Sequence, residues 1–217
     1  MSVVEDPVPG SWQVRSSALL LANWLLTVRS DSVRMSDEHY AKRTVVTHPG
    51  AVVVLALNDR DQVLMIKQYR HPVGRELWEL PAGLRDVDGE SALATARREL
   101  FEETGWRAGD WYTLVDYYTS PGFTDERIRV FLARDLTQAH EAGQHEAGQH
   151  GDGAQGAGGK APDEETYIVT EWVPLREAVR LALAGKLHSG PAIAGVMSGY
   201  AAWAEGFAGL RPGEAPE

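Results

Sequence analysis

The segment RRELFEETGW, residues 97–106, is the most informative part of this sequence because it crowds three carboxylates onto a short helix. Glu99, Glu102 and Glu103 fall within an arc of roughly 100° around a helix of 3.6 residues per turn. Like charges at i,i+4 cost an isolated helix about 0.2–0.5 kcal/mol per pair. The nearby cation is Arg98, one turn before Glu102. We therefore expect positive charge to reach these side chains from outside the helix.

Composition limits the classes of protein to which this chain can belong. Its 217 residues suit one sizeable domain with an appendage, and 43% hydrophobic residues with seven Trp can form a core. Thirty-one acidic and 21 basic residues give a net charge of −10, which argues against a nucleic-acid partner or an anionic membrane. The absence of Cys excludes disulfides and thiolate metal sites. A chain without disulfides fits a cytoplasmic protein.

Targeting signals are not predicted. The first residues, MSVVEDPVPG, lack the basic region and apolar run of a secretory signal, so we expect none. Apolar runs such as ALLLANWLL (18–26) are too short to span a bilayer. We expect a cytoplasmic protein with a small-molecule substrate and no membrane partner.

Apolar patterning along the chain predicts both strands and helices. Residues 11–35 predict two or three strands. GAVVVLAL (50–57) predicts a buried strand, NDRD (58–61) a turn, and QVLMIKQY (62–69) the return strand. Further strands are predicted at 112–118, 127–133 and 166–173, and helices at 91–104, at 175–186 and from Ser189-Gly-Pro191 onward. In the first helix the carboxylates flank the stripe formed by Leu93, Ala96 and Leu100, so we expect them at the edge of the core.

Residues 138–162 differ from the rest in composition. HEAGQHEAGQH is a tandem repeat, and GDGAQGAGGKAP follows it. Because Gly, Gln and Ala without apolar periodicity cannot offset the entropy of ordering, we predict a mobile loop. His140, His145 and His150 could suggest a metal site, but evenly spaced His without a rigid frame makes that interpretation much the weaker one.

Gly83, Glu90 and the run from Arg98 to Trp106 together resemble the Nudix box of hydrolases that cleave substituted nucleoside diphosphates. Arg98-Glu99, Leu100, Glu102-Glu103, Gly105 and Trp106 match that pattern in register. Six residues separate Gly83 from Glu90, where the pattern asks for five. The resemblance implies an α/β fold, the Nudix α/β/α sandwich with a mixed sheet. It also implies a division into an N-terminal β segment (1–46), which serves dimerisation by exchange between subunits, and a Nudix domain (47–209).

The carboxylates suit a site for Mg²⁺ or Mn²⁺, since hard cations prefer oxygen ligands. Glu99 and Glu103, one turn apart, can bind metal directly, and Glu102 can bridge metals or hold a metal-bound water. The resemblance adds the carbonyl of Ala82 as a ligand. It implies that Glu90, Arg98 and Gly83 support the ligands, with Arg98 steadying the carboxylates and assisting catalysis together with Glu102.

The sequence around this box resembles the bacterial ADP-ribose pyrophosphatases within the Nudix superfamily. QYRHPVGRELWELPAGL (68–84), SPGFTDE (120–126) and AIAGV (192–196) carry the likeness, and Pro121 falls sixteen residues after Gly105. The resemblance implies cleavage of ADP-ribose to AMP and ribose 5-phosphate. It implies substrate-binding roles for Arg70 at phosphate, for Glu126 at the terminal ribose, and for Glu79 and Pro121 in the same pocket.

The general base is expected on a loop after the box, as in the family that the sequence resembles. PDEETY (162–167) offers Glu165 as the first choice and Glu164 as the second. A carboxylate there can accept a proton from a water whose pKa a metal has lowered.

Residues 11–35 carry more apolar surface than a short β segment buries by itself, which favours a homodimer. The resemblance implies that an aromatic residue such as Trp24 helps to enclose the partner's adenine. Two alternatives remain open: a Nudix hydrolase acting on another nucleoside diphosphate sugar, and a non-catalytic ADP-ribose sensor. The intact Glu99, Glu102 and Glu103 argue against the sensor.

Overall fold

The structure, a computed structural model, describes residues 12–35, 39–138 and 168–214. Within them the chain forms two compact units. The first consists of the described part of Met1–Gly50 together with Tyr117–Arg127. The second consists of Ala51–Asp116 and the described part of Ile128–Glu217. The predicted division at residues 46 and 47 stays a prediction.

The first unit contains an antiparallel sheet of three strands. Its strands are β1 (Val14–Ala22), β2 (Thr27–Arg34) and β3 (Tyr40–Thr47), in that spatial order. The turn between β1 and β2 is held by Asn23, whose Oδ1 accepts hydrogen bonds from the backbone N–H groups of Leu25 and Leu26. The prediction of two or three strands over residues 11–35 is confirmed, with two.

The second unit contains the remaining elements, apart from the last two residues of β8 and the first residue of β9. Along the chain they are β4 (Ala51–Ala56), β5 (Gln62–Arg70), a 3-10 helix (His71–Val73), β6 (Arg75–Glu79), β7 (Ala82–Leu84), α1 (Ala92–Thr104), β8 (Trp106–Tyr118), β9 (Arg127–Gln138), β10 (Val169–Pro174), α2 (Leu175–Leu183), α3 (Gly190–Ala204) and β11 (Arg211–Pro212). One sheet has the order β11-β8-β9-β4-β7 and the other has the order β10-β5-β6. The first of these is mixed, since β4 pairs parallel with β9 and antiparallel with β7.

Strand β4 lies between two layers of helix. Val52, Val54 and Ala56 pack in the cluster that contains Leu93, Ala96 and Leu100 of α1. Leu55 points to the other face, where it lies against Gly199 of α3. Because successive side chains of a strand alternate between faces, one buried strand serves both helical layers. The predicted α/β/α sandwich with a mixed sheet is confirmed.

The predicted hairpin between residues 50–57 and 62–69 is wrong in its pairing. The turn forms, with the Asn58 N–H donating to the Gln62 carbonyl, and Leu57 and Val63 make an isolated bridge. Beyond that bridge the two strands belong to different sheets. The reason is that both edges of β4 are occupied by β7 and β9, so β5 pairs with β6 and β10 instead.

Helix α1 begins and ends as predicted. The Ser91 Oγ accepts a hydrogen bond from the Ala94 N–H at 3.2 Å, and Gly105 ends the helix with φ of 72°. Such caps satisfy backbone groups that the helix itself leaves unpaired. The expectation that the carboxylates lie at the edge of the core is wrong for Glu99, whose exposed fraction is 1%.

The predicted mobile loop over 138–162 lies outside the described residues, apart from Gln138 at the end of β9. His140, His145 and His150 also lie outside them. Among the described residues, no helix combines the length and apolar character that crossing a membrane requires.

Candidate active site

Gly83 lies directly against the carboxylate of Glu99. It belongs to β7, where it pairs with Val52 of β4. A Cβ added to Gly83 would lie 2.0 Å from Glu99 Cδ and 2.1 Å from its Oε1. A side chain at this position would overlap the observed Glu99 carboxylate. Residue 83 is therefore a glycine because the carboxylate lies so close to its backbone, and not because a turn requires it.

Glu103, one helical turn after Glu99, contacts Ala82, the residue before Gly83. Its Oε2 accepts a hydrogen bond from the Ala82 N–H at 2.9 Å. Glu99 and Glu103 therefore converge on the Ala82-Gly83 backbone, because residues four apart share one face of a helix. The structure brings together the three groups for which the sequence predicted direct metal contact: the two carboxylates and the residue whose carbonyl was expected to join them.

Arg98 is surrounded by three carboxylates. Its Nη1 donates to Glu99 Oε1 at 2.7 Å and to Glu102 Oε2 at 3.1 Å. On its other side, Nη2 and Nε donate to the two oxygens of Glu90 at 3.0 and 3.2 Å. Positive charge was expected from outside the helix, but Arg98 already supplies it from within. Its guanidinium offsets much of the repulsion among the carboxylates of α1.

The ion pairs shift the pKa values of their members. The hydrogen bond from Arg98, outweighing the opposing effect of burial, holds the pKa of Glu90 below its usual value. A second hydrogen bond, from Thr95 Oγ1 at 2.9 Å, acts in the same direction. The pKa of Arg98 is raised, chiefly by Glu90 and further by Glu99 and Glu102, so its positive charge is secure. Sequence reasoning missed Thr95, and no sequence signal distinguishes this buried hydroxyl from an ordinary core threonine.

The donor set suits a hard divalent cation, since it consists of carboxylate oxygens and one backbone carbonyl. In the present arrangement, the described part of the chain contains no group of three or more His, Cys, Asp or Glu placed to hold a metal ion. The contacts above explain this: Arg98 draws Glu99 and Glu102 toward itself, while Glu103 turns to Ala82.

Arg70 and Glu79, both predicted to bind substrate, pair with each other. Arg70 Nη2 donates to Glu79 Oε2 at 2.7 Å, and its Nε lies 3.1 and 3.2 Å from the two oxygens. Gln68 Nε2 also donates to Glu79 Oε2, at 3.2 Å. Glu79 is buried, while Arg70 is partly exposed. This geometry makes Glu79 an orienting partner for the Arg70 guanidinium.

The remaining predicted site residues lie in the first unit or outside the described residues. Trp24 is 81% exposed at the turn after β1. Pro121 and Glu126 share one loop, where Glu126 Oε2 accepts a hydrogen bond from Thr119 Oγ1 at 2.6 Å. His48 Nδ1 lies 3.5 Å from Glu126 Oε1, a contact that the sequence analysis missed. Glu164 and Glu165 fall outside the described residues.

Comparison with known proteins identifies the family. The model of the NUDIX domain matches residues 46–194. The chain belongs to the NUDIX domain family. This NUDIX chain is 43% identical over 197 residues to the ADP-ribose pyrophosphatase of Mycobacterium tuberculosis, covering 91% of this chain and 86% of that protein.

A second relative and a solved structure agree with this assignment. The ADP-ribose pyrophosphatase of Bacillus subtilis is 44% identical over 151 residues, covering 70% of this chain and 72% of that protein. A crystal structure of an ADP compounds hydrolase superposes with a TM-score of 0.68 at 19% identity, covering 94% of this chain and 99% of that one. The structural likeness supports the NUDIX fold. Nudix hydrolases generally need divalent metal ions.

Proposed function

We propose that this Nudix protein hydrolyses the pyrophosphate of ADP-ribose to AMP and ribose 5-phosphate, with Mg²⁺ or Mn²⁺ as cofactor. The observation that carries the substrate assignment is the similarity over most of the chain to two bacterial ADP-ribose pyrophosphatases. The convergence of Glu99 and Glu103 on the Ala82-Gly83 backbone supports the metal-dependent chemistry.

The carboxylates of Glu99, Glu102 and Glu103, with the carbonyl of Ala82, would hold the metal. A divalent cation there lowers the pKa of a bound water and offsets the charge of the pyrophosphate. Arg98 keeps Glu99 in place through its 2.7 Å hydrogen bond. Glu165, or Glu164 as the second choice, would accept the proton of the attacking water, because carboxylates can act as general bases.

Binding of the substrate is assigned to Arg70, Glu79, Glu126 and Pro121. Arg70 contacts a phosphate, since its planar guanidinium matches phosphate oxygens, and Glu79 holds that guanidinium in one orientation. Glu126 accepts hydrogen bonds from the hydroxyls of the terminal ribose, and Pro121 shapes the same loop. These roles follow from the residues' chemistry together with the family to which the chain belongs.

A turnover assay tests the proposal directly. Purified protein is incubated with ADP-ribose and, in parallel, with other nucleoside diphosphate sugars, with and without Mg²⁺, and AMP release is measured. We expect ADP-ribose to give the highest kcat/KM, and only with metal. Preference for another nucleotide sugar would favour the alternative hydrolase, and metal-independent binding of ADP-ribose without turnover would favour the sensor.

A matched pair of variants tests the metal assignment. Glu103→Gln keeps the hydrogen bond from Ala82 but removes a charge, so we expect kcat to fall by orders of magnitude while the protein stays folded. Glu177→Gln, on the exposed side of α2, is the control and should leave kcat unchanged. A near-normal kcat for Glu103→Gln at saturating Mg²⁺ would show that Glu103 is not a ligand.

The first unit supports the proposal that the enzyme is a homodimer. Strand β1 is an edge strand of nine residues, and every one of them is exposed in the isolated chain. Leu19, Leu20 and Leu21 are each more than half exposed. Edge strands with long apolar runs tend to pair with another chain, and a second copy of this chain would cover both the strand and Trp24.

Mass measurement in solution tests the dimer. Leu20→Lys places a charge on β1, so we expect it to convert the dimer to a monomer and weaken ADP-ribose affinity. Leu183→Lys is the control, because Leu183, on α2 in the other unit, is also more than half exposed, and its substitution should leave the mass unchanged. A wild-type protein that is monomeric and fully active at nanomolar concentration would contradict the proposal.

A further inference from the structure

The loop that carries Glu126 is fastened to the end of β3. The Val46 N–H donates to the Phe123 carbonyl at 2.8 Å, and the Asp125 N–H donates back to the Val46 carbonyl at 3.2 Å. The His48 N–H then donates to Asp125 Oδ1 at 3.0 Å. Three hydrogen bonds in sequence therefore fix the position of Glu126 relative to His48.

The imidazole of His48 faces two different groups through the same atom. Its Nδ1 accepts a hydrogen bond from the Gly50 N–H at 3.1 Å, and the same Nδ1 lies 3.5 Å from Glu126 Oε1. Gly50 has φ of 84°, and a Cβ there would lie 2.8 Å from the Arg127 carbonyl oxygen. Glycine permits this left-handed backbone, in which the buried Gly50 directs its N–H to Nδ1 of His48.

The protonation state of His48 decides what Nδ1 can do. In the neutral ring that accepts from Gly50, the proton must reside on Nε2, and Nδ1 offers only a lone pair. A lone pair does not attract a carboxylate, which leaves Glu126 Oε1 as an acceptor for a ligand. Protonation puts a hydrogen on Nδ1, ends the bond from Gly50, and favours a charge-assisted hydrogen bond to Glu126 Oε1.

We propose that His48 is a positioning residue that controls whether Glu126 can accept a hydroxyl of the substrate's terminal ribose. Neutral His48 leaves Oε1 available, and protonated His48 engages it. The inference rests on the proposed function, because it takes the ribose-binding role of Glu126 from there. It adds a regulation of that site: the affinity for ADP-ribose should fall as the imidazole becomes protonated.

The other titratable groups near His48 do not produce the same behaviour. Asp125 accepts a hydrogen bond from the His48 backbone N–H rather than from the ring, and the Arg127 carbonyl oxygen lies beside Gly50. Thr119 occupies Glu126 Oε2 whatever the state of His48. Burial, with a contribution from the charge of Glu126, raises the pKa of Tyr117 to about 12, so that hydroxyl stays neutral at the pH values of interest. Histidine is the side chain that ordinarily titrates between pH 5 and 8.

Steady-state kinetics of the full-length enzyme with Mg²⁺ test the proposal between pH 5.5 and 8.5. For the wild type we expect the KM for ADP-ribose to rise about fivefold toward the acid end, the lower range of couplings between linked groups. His48→Asn retains an acceptor for the Gly50 N–H but cannot become charged, so its KM should stay flat while its kcat follows the wild-type profile. His188→Asn, an exposed histidine in the other unit, is the control and should keep the wild-type rise.

A spectroscopic measurement on the wild type makes the test independent of turnover and of how the variants fold. The ¹⁵N chemical shifts of the His48 ring should show the proton on Nε2 at pH 8. A proton on Nδ1 would overturn the proposal, as would a flat wild-type KM or a persistent rise in His48→Asn. Absence of ADP-ribose hydrolysis at every pH would instead refute the proposed function itself.

Discussion

Replacing Gly83 with alanine tests whether strand β7 fixes the position of the Glu99 carboxylate. The new methyl group would lie 2.0 Å from Glu99 Cδ, whereas non-bonded carbons are comfortable at about 3.5–4.0 Å. One partner must move by about 1.5 Å or more. The backbone of Gly83 is held by pairing with Val52, so we expect the carboxylate to be displaced and its 2.7 Å hydrogen bond from Arg98 to break.

The expected magnitude follows from two costs. Overpacking a dense interior costs about 1–3 kcal/mol, and losing a hydrogen bond between charged groups costs about 1.5–3 kcal/mol. Partial relaxation makes about 3–4 kcal/mol a reasonable central expectation. For a chain of this length, each kcal/mol shifts the Tm by about 2–4 °C, which gives a fall of roughly 6–16 °C. Misplacement of a catalytic group by about 1 Å should also lower kcat/KM about 100-fold.

Thermal unfolding without metal and ADP-ribose turnover with Mg²⁺ measure the two effects. Gly190→Ala is the control, because a Cβ on Gly190 meets nothing within 4 Å, and it should unfold close to the wild type. Glu99→Asp shortens the displaced side chain and so relieves the clash. The double variant with Gly83→Ala should therefore be at least about 1 kcal/mol more stable than the sum of the two single effects predicts, without recovering turnover. Equal Tm and kcat/KM for Gly83→Ala and Gly190→Ala would refute the reasoning.

Three further expectations follow from other parts of the molecule. Asp116→Asn should destabilise the protein by about 3–5 kcal/mol at pH 7, because it removes the negative charge that pairs with the buried Arg129 at 2.6 Å. Burial opposes ionisation of Asp116, but Arg129 and Arg211 outweigh it and lower its folded pKa. The Asp116 carboxylate therefore stabilises the wild type fully at pH values above its pKa in the unfolded chain, near 3.8. This stabilisation is lost as the pH falls through the lower pKa of the folded protein. The difference between the two proteins in urea-unfolding free energy should then shrink below about pH 3.8. Glu165→Gln should lower kcat far more than it raises KM, whereas a larger effect of Glu164→Gln would reverse our order of the two bases. Replacing residues 140–158 with a short Gly/Ser linker should keep kcat/KM within a few-fold, because closure entropy depends weakly on loop length; loss of metal binding would contradict this.

Local features of the sequence were sufficient to predict helix α1 and the arrangement of carboxylates on it. Its apolar stripe, its Ser91 cap and its terminal Gly105 are read within a few residues of one another, so the predicted 91–104 matches Ala92–Thr104. The contacts of Arg98 are likewise local, because Glu99 is the next residue and Glu102 lies one helical turn away on the same face.

Non-local pairing could not be predicted in the same way. The turn at Asn58 suggested a hairpin, but β4 already has partners on both edges, one of them the distant strand β9. His48 and Asp125 are 77 residues apart, and no periodicity in the sequence relates them. The burial of Glu99 was not predicted either. It depends on Gly83, which lets the neighbouring strand β7 approach the Glu99 carboxylate closely.

The arrangement around Arg98 bears on how folding and metal binding are related in this protein. If the carboxylates of α1 had no internal counter-charge, the helix would depend on a cation for its stability, as domains built around structural zinc do. Here a partly buried guanidinium satisfies Glu90, Glu99 and Glu102 at once, and α1 is further anchored by the buried Leu93, Ala96 and Leu100. The fold therefore does not need the metal to offset the repulsion on this helix. A cation that draws Glu99 and Glu102 away from Arg98 must compete with existing hydrogen bonds, so its binding should change the reactivity of the site much more than the stability of the fold.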